Sequence, residues 1–205
     1  MKNFLASAAL ALTLFSSSAC FADTGVLANV GSTAPNFEAQ DTNGAQVSLA
    51  SLKGKTVVLE WTNNECPFVH KHYDSGNMQK LQKTATDDGI VWISIVSSAD
   101  NKEGYVTKQQ ANDIAKKQGA QPSHIILDSS GIIGHEYGAK TTPHMFVIDK
   151  NGVLAYAGAI DDQPNTDAAA IDKADNYVMD ALAALKKGDP VNPDRTNPYG
   201  CGVKY

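Results

Sequence analysis

The chain has 205 residues and a formal net charge of −5, with 17 basic and 22 acidic residues. This length suits one domain, and a mildly acidic chain without a basic run argues against a nucleic-acid partner. Hydrophobic residues make up 42% and charged residues 19%, which excludes disorder throughout the chain. The three cysteines, Cys20, Cys66 and Cys201, are an odd number, so one must be removed, left free or paired with another chain.

The first residues have the pattern of a secretory signal peptide. Lys2 precedes twelve uncharged residues, FLASAALALTLF, and small residues follow up to Asp23. We expect cleavage after Ala22, which makes residues 1–22 the signal peptide and the protein periplasmic or secreted. An apolar run this short does not span about 30 Å of hydrocarbon as a helix, so we predict no stable membrane anchor.

Cleavage after Ala22 would also make the number of cysteines even. It removes Cys20 and leaves two cysteines in an oxidising compartment, where disulfides form. Cleavage after Ala19 is the alternative and would leave Cys20 at the N-terminus for lipidation. Against it, Ser17 stands where a lipoprotein signal prefers Leu.

Strands come first in the body of the chain. Residues 36–40 and 46–49 are predicted to pair as a hairpin, because Asp41-Thr42-Asn43-Gly44 between them carries an Asn-Gly turn signal. Residues 56–62, TVVLEWT, are β-branched and aromatic and predict a central strand.

A helix is predicted directly after that strand. Pro67 suits the first turn of a helix, where its missing N–H is not needed. Asp74-Ser75-Gly76 interrupts this helix, and residues 77–85 resume it with one apolar face. Residues 90–96, IVWISIV, predict a buried strand.

The second half of the body continues the alternation. Residues 108–117 predict a helix that ends at Gly119, and residues 124–127 predict a short strand. Residues 145–148 and 153–157 predict a hairpin around an Asp-Lys-Asn-Gly turn.

A last helix is predicted over residues 167–187, whose apolar residues are spaced for one stripe, and Gly188 and Pro190 end it. Strands alternating with helices, followed by a hairpin and a helix, predict an α/β fold with a mixed central sheet flanked by helices. We assign residues 23–189 to one domain and residues 190–205 to an extended C-terminal tail.

Cys66 is predicted at the start of a helix, just beyond the end of a strand. The unpaired N–H groups and the helix dipole there favour the thiolate and lower the thiol pKa. His70 lies one turn further along and could exchange protons with the sulfur. Lys71 and His72 are expected to keep the local surface cationic. The alternative is a buried structural cysteine, which the polar run 62–65 before Cys66 makes less attractive.

Several segments together resemble the redoxin branch of the thioredoxin superfamily, and in particular peroxiredoxin-like proteins of the bacterial cell envelope. The resemblance covers residues 28–205. Its segments are residues 44–54, TVVLEWT, ECPFVHKHY at 65–73, GNMQKLQ at 76–82, KTTPHMFVIDKNGVLAYAGAID at 140–161 (with AGAIDD at 157–162) and PYGCGVKY at 198–205. It implies a thioredoxin-like fold with Cys66 as the nucleophile. It also places Pro143 where such proteins hold a cis-proline against the active cysteine.

The chain departs from these families at three places. Val69 stands where thioredoxins carry the second cysteine of Cys-x-x-Cys, so no local dithiol is present. Peroxiredoxins place a Thr three residues before the cysteine, where this chain has Asn63, so we retain the neighbouring Thr62 as a catalytic candidate. They also use an Arg near the cysteine, and docking of the tail could bring Arg195 there.

Cys201 is the second sulfur of the candidate site. Gly200 and Gly202 flank it, which predicts a mobile backbone and an accessible thiol, as a resolving cysteine needs. Cys66 and Cys201 could form a redox-active pair, a permanent structural disulfide or no bond at all.

Three functions therefore compete. In the first, an exported thiol peroxidase, Cys66 reduces a hydroperoxide, Cys201 resolves the sulfenic acid, and an external thiol or dithiol protein restores both. The second is disulfide exchange with a partner's disulfide and without peroxide chemistry. The third is copper binding by Cys66 and His70 with His72 or His144. The first two need no metal or cofactor, and the catalytic candidates are Cys66, Cys201, Pro143, Thr62 and His70.

Overall fold

A computed structural model describes residues 27–205. The predicted signal peptide, with Cys20 and its cleavage site after Ala22, lies outside the described residues. Within residues 27–205, no helix has both the length and the apolar character that crossing a bilayer requires.

A five-stranded mixed sheet forms the centre of the protein, as predicted. The strands of the chain are β1 (Glu38–Gln40), β2 (Gln46–Ser48), β3 (Val57–Trp61), β4 (Val91–Val96), β5 (His124–Leu127), β6 (Thr141–Thr142), β7 (His144–Ile148), β8 (Leu154–Gly158) and β9 (Cys201–Gly202). The central sheet has the order β5-β4-β3-β7-β8. β3, β4 and β5 run parallel, and β7 is antiparallel to β3 and β8. The fold is the predicted α/β, thioredoxin-like arrangement.

Two small sheets accompany the central one. β1 and β2 form the predicted antiparallel hairpin. β6 and β9 also pair antiparallel, and the sequence did not predict this pair. It brings the last residues of the chain to the segment directly before β7.

Five α-helices flank the sheet in the described part of the chain. They are α1 (Pro67–Asp74), α2 (Asn77–Asp87), α3 (Lys108–Gln118), α4 (Ile132–Tyr137) and α5 (Tyr177–Lys187), with 3₁₀ turns at Leu49–Leu52 and Ala168–Lys173. α3 begins with a capping box between Thr107 and Gln110 and ends at Gly119, as its sequence predicted. α4 was not predicted, because a helix of six residues shows little periodicity.

The prediction of one helix over residues 167–187 was wrong. The chain forms a 3₁₀ turn and then becomes extended at Ala174, with φ −80° and ψ 136°. α5 begins only after Asn176, whose side chain accepts a hydrogen bond from Met179 N. This cap supplies a partner for a free N–H group at the new helix start, which the apolar stripe alone could not reveal.

Each face of the sheet carries its own apolar core. Alternate residues of β3 point to opposite sides, so Leu59 and Trp61 pack in one core with Phe146. Val58 packs on the other side, where the core also contains Cys66. The candidate nucleophile is therefore anchored in the packed interior.

Glu60 is a fully buried carboxylate in the central strand β3. It is held by four donors: Tyr73 OH at 2.8 Å, Trp92 Nε1 at 2.8 Å, Ser94 Oγ at 2.9 Å and Gln82 Nε2 at 3.2 Å. Burial raises the pKa of Glu60, and these hydrogen bonds oppose that rise. The cluster joins β3, β4, α1 and α2. It therefore holds in place the helix that follows Cys66.

We expect Glu60→Gln to lower the free energy of unfolding by about 2–3 kcal/mol, because the new amide nitrogen faces groups that already donate. Urea unfolding measures the loss. The exposed Glu38→Gln is the matched control, with an expected change within about 0.5 kcal/mol. Equal stabilities of the two variants would contradict this role for Glu60.

Candidate active site

Cys66 lies at the N-terminal end of α1, as predicted. Its backbone is extended, with φ −80° and ψ 122°, and Pro67 is the first helical residue. The N–H groups of Val69 and His70 donate to the Cys66 carbonyl oxygen, at 3.0 and 2.9 Å. Cys66 has no exposed surface.

The C-terminal tail places Cys201 directly against Cys66. Their Sγ atoms are 2.7 Å apart, inside van der Waals contact and outside the 2.03–2.05 Å of a disulfide bond. Both thiols are free. In the pairing of β6 with β9, Cys201 stands opposite Thr142. The two sulfurs thus meet through a backbone pairing between segments distant in sequence.

The expectation of a mobile, accessible Cys201 is corrected by this docking. Cys201 is half-buried and belongs to a strand. Gly200 has φ 132°, and a Cβ there would collide with the Thr142 carbonyl oxygen. Glycine at this position is therefore explained by a close backbone approach rather than by freedom of the chain.

Pro143 directly follows the residue whose carbonyl oxygen contacts Cys66 Sγ. The Thr142–Pro143 peptide bond is cis, which confirms the prediction, and Pro143 is buried. The Thr142 carbonyl oxygen lies 3.0 Å from Cys66 Sγ and accepts its hydrogen bond. Cys66, Cys201 and Pro143 are therefore brought together.

Thr142 is a site residue that the sequence analysis missed. It is 2% exposed, and its Oγ1 has no hydrogen-bond partner among the described residues. Its hydroxyl acts to lower the pKa of Cys66. A buried hydroxyl next to a sulfur is suited to stabilise a thiolate, and its position before the predicted cis-proline was the available signal.

Thr62 and His70 make no described contact with either sulfur. The Thr62 N–H donates to Ile95 O at 2.9 Å, and its side chain lines a small cavity beside Val69. The His70 side chain is 45% exposed, with Nδ1 3.4 Å from Asp74 Oδ2. Their catalytic roles stay predictions.

The pKa values of the two thiols are shifted in opposite directions. Burial favours the neutral form of Cys66, but the hydrogen bond from the Cys201 thiol, the adjacent Thr142 hydroxyl and nearby N–H groups outweigh it and lower the Cys66 pKa. For Cys201, burial, the hydrogen bond with Cys66 and the Cys66 charge raise the pKa to about 12. Cys66 is therefore the thiol of the pair that ionises more readily, and Cys201 is the one that keeps its proton.

The expectation that Lys71 and His72 keep the local surface cationic is wrong. Lys71 is 3% exposed and His72 is fully buried, and both face Asp161. Burial lowers the pKa of His72 to about 4, although Asp161 opposes the shift. His72 is thus neutral at physiological pH, and these residues form a buried polar cluster instead.

The predicted copper ligands are not assembled. Within residues 27–205, no group of three or more His, Cys, Asp or Glu side chains is arranged to hold a metal ion. His144 is buried, and its Nδ1 accepts a hydrogen bond from Lys140 N at 3.2 Å. His72 hydrogen-bonds through both ring nitrogens, to Tyr199 and Asn77.

Arg195 lies beside β8, where it forms a bridge with Ala157. Its Nη2 donates to Asn29 Oδ1 at 3.0 Å. The tail docks as the sequence analysis envisaged, but this contact directs the guanidinium towards the loop before β1 rather than towards Cys66.

Comparison with known proteins points to one family. The Redoxin family model matches residues 29–178. A putative chloroplastic peroxiredoxin Q from Oryza sativa subsp. indica is 28% identical over 142 residues, which is 62% of this chain and 57% of that protein. The thiol-disulfide oxidoreductase ResA of Halalkalibacterium halodurans is 28% identical over 159 residues, or 77% of this chain and 83% of that one. The match therefore spans little more than half of the peroxiredoxin Q.

Solved structures agree on the fold. An uncharacterized conserved protein from Geobacillus kaustophilus superposes with a TM-score of 0.74 at 23% identity, covering 86% of this chain and 92% of its own. A putative thiol:disulfide interchange protein DsbE from Chlorobium tepidum gives 0.51 at 22% identity, over 63% and 84% of the two chains.

We expect one thiol of the reduced protein to ionise below the ordinary cysteine pKa of about 8.5, because the hydrogen bonds at Cys66 favour its thiolate. Ultraviolet absorbance of the thiolate follows the titration, and Cys66→Ser should remove it. Thr142→Val should raise this pKa, whereas Thr141→Val, whose hydroxyl donates to the Pro143 carbonyl oxygen, should not. A titration unchanged by Thr142→Val would contradict the role of that hydroxyl.

Proposed function

We propose a function for this protein from one premise: the chain belongs to the Redoxin family. It is accordingly a thiol-based oxidoreductase. The specific activity that we propose is that of an exported thiol peroxidase, in which Cys66 reduces a hydroperoxide and Cys201 resolves the product.

The observation that carries this proposal is the unequal pair of sulfurs 2.7 Å apart. A peroxidase needs a thiolate to attack the peroxide and a second thiol within bonding reach. The lowered pKa of Cys66 supplies the first, and the raised pKa of Cys201 keeps the second protonated until it is needed.

The chemistry proceeds in three balanced steps. The Cys66 thiolate attacks one oxygen of the hydroperoxide and the O–O bond breaks. With the proton of the hydroperoxide and one proton from solvent, the products are the Cys66 sulfenic acid and an alcohol or water. The Cys201 sulfur then attacks Cys66 Sγ, and the S–O bond breaks with loss of water. An external thiol or dithiol protein returns two electrons and two protons and restores both thiols.

Access to Cys66 requires movement of the tail. Cys66 has no exposed surface, and Cys201 occupies the position next to its sulfur. A peroxide reaches the thiolate only when Cys201 moves aside, and the tail must return to form the disulfide. The tail therefore takes part in both steps of the cycle.

Disulfide exchange without peroxide chemistry is the second candidate. The antiparallel pairing of β6 with β9 presents a cysteine in an extended segment opposite Thr142. A cysteine of a partner protein in the same position could exchange with Cys66, and the ResA relative carries thiol-disulfide oxidoreductase in its name. The partner in this case is a protein disulfide or dithiol.

The proposed compartment is the periplasm or the extracellular space. It rests on the signal-peptide pattern of residues 1–22 and on the disulfide chemistry that an oxidising compartment permits.

Intact-mass analysis after one equivalent of hydrogen peroxide tests the proposal. A Cys20→Ser background keeps the third cysteine out of the measurement. We expect this protein to lose two hydrogen atoms as the disulfide forms. Cys201→Ser should gain one oxygen because its sulfenic acid is not resolved, and Cys66→Ser should stay unchanged on the same time scale.

Two results would separate the candidates. If peroxide leaves the mass unchanged while an oxidised thiol reagent still produces the Cys66–Cys201 disulfide, the protein exchanges disulfides and the peroxidase proposal is wrong. Addition of oxygen to Cys201 in the Cys66→Ser variant, at the rate seen for Cys66, would contradict the assignment of the nucleophile.

A further inference from the structure

A buried polar cluster joins the C-terminal tail to α1. It consists of Lys71 and His72 on α1, Asp161 after β8, and Tyr199 in the tail. The side chains of Lys71 and His72 have no exposed surface, and that of Asp161 is 1% exposed. Buried charges are expensive unless they are paired and hydrogen-bonded, so the tail residue of this cluster has an energetic role.

The hydrogen bonds of the cluster form a chain of donors that leads from Asn77 through His72 and Tyr199 to Asp161. Tyr199 OH donates to Asp161 Oδ1, so its oxygen is left to accept from His72 Nε2 at 3.3 Å. With the His72 proton on Nε2, Nδ1 accepts from Asn77 Nδ2 at 2.9 Å. The phenol is the central link, because it accepts from His72 and donates to Asp161.

Asp161 depends on Tyr199 for one of its hydrogen bonds. Its Oδ1 receives Gln163 N–H at 2.9 Å besides the phenol. Its Oδ2 is buried with no hydrogen-bond partner among the described residues, and Lys71 Nζ and His72 Nε2 stand 3.8 and 3.9 Å away. If the tail leaves, this carboxylate loses one of its two hydrogen bonds.

The ring of Tyr199 adds two contacts to α1. It packs against Phe68 with 5.8 Å between ring centroids, and Lys71 Nζ lies 5.6 Å from its centre. α1 therefore carries both Cys66 at its first turn and the residues that hold Tyr199. The tail carries Tyr199 two residues before Cys201. One helix and one tail meet at two points, the sulfur pair and the polar cluster.

We propose that Tyr199 is a positioning residue, whose hydroxyl, bound between Asp161 and His72, holds Cys201 against Cys66. This inference rests on the proposed use of the two sulfurs as a redox pair. The cluster sets the effective concentration of the Cys201 thiol at Cys66, and hence the equilibrium between dithiol and disulfide. It also opposes the movement of the tail that exposes Cys66, because undocking leaves Asp161 and His72 without their phenol.

Redox equilibrium with glutathione tests the inference without any peroxide. The protein disulfide and two glutathione thiols convert to the protein dithiol and one glutathione disulfide. We expect Tyr199→Phe, which keeps the ring contacts and removes only the hydroxyl, to shift this equilibrium towards the dithiol by up to about tenfold, as loss of a hydrogen bond to a charged group implies. The shift is smaller the more firmly the reduced tail stays docked, because the hydroxyl's hydrogen bonds are then lost equally from the disulfide and from the dithiol. The matched control, Tyr105→Phe at a position 42% exposed, should leave it unchanged.

A second measurement separates positioning from general stability. Urea unfolding of the reduced proteins shows how much each variant is destabilised, and alkylation of Cys66 with iodoacetamide shows how often the tail uncovers it. Tyr199→Phe should speed the alkylation by about tenfold in protein that remains folded. Asp161→Asn should shift both readouts in the same direction.

The inference is overturned if Tyr199→Phe has the glutathione equilibrium and the alkylation rate of the parent protein. It is also overturned if Tyr105→Phe shifts both as much. Failure of the proposed peroxidase activity gives a different result: peroxide then leaves Cys66 unoxidised, while Tyr199→Phe still speeds the alkylation of Cys66.

Discussion

The pairing of β6 with β9 is the constraint on which the rest of the site depends. It aligns Cys201 with Thr142, and Thr142 in turn contacts Cys66 through its carbonyl oxygen. The close approach at Gly200 allows the two backbones to meet. Because this pairing is made by backbone atoms, it determines which residue of the tail stands beside Cys66, while the proposed role of the Tyr199 side chain is to hold the tail in that place.

The same docking makes the two thiols unequal. Cys66 is buried at a helix start, surrounded by donors that favour its thiolate, whereas Cys201 is a donor to that thiolate and has its pKa raised to about 12. With the tail docked, Cys66 has no exposed surface. The docked tail therefore favours the thiolate of Cys66 and at the same time covers it. The strength with which the tail is held decides how often Cys66 is uncovered.

Local patterns predicted the sheet, the position of Cys66 and the cis bond before Pro143. Each of these follows from residues close together in the chain or from a resemblance that they carry. Thr142 and the cluster of Lys71, His72, Asp161 and Tyr199 were not predicted, since these residues meet only in the folded chain. Lys71 and His72 were interpreted as surface residues because most lysines are exposed. No pattern near them in the sequence indicates a contact with Asp161.

The measurement that tests the working redox pair most directly is reduction of the oxidised protein by a dithiol under native conditions. Free thiols are counted while circular dichroism follows the fold. A redox pair predicts that both Cys66 and Cys201 appear as thiols in protein that stays folded, and that a second addition of oxidant removes them again. Thiols that appear only after denaturant has unfolded the chain would contradict it, because the bond would then be a permanent staple.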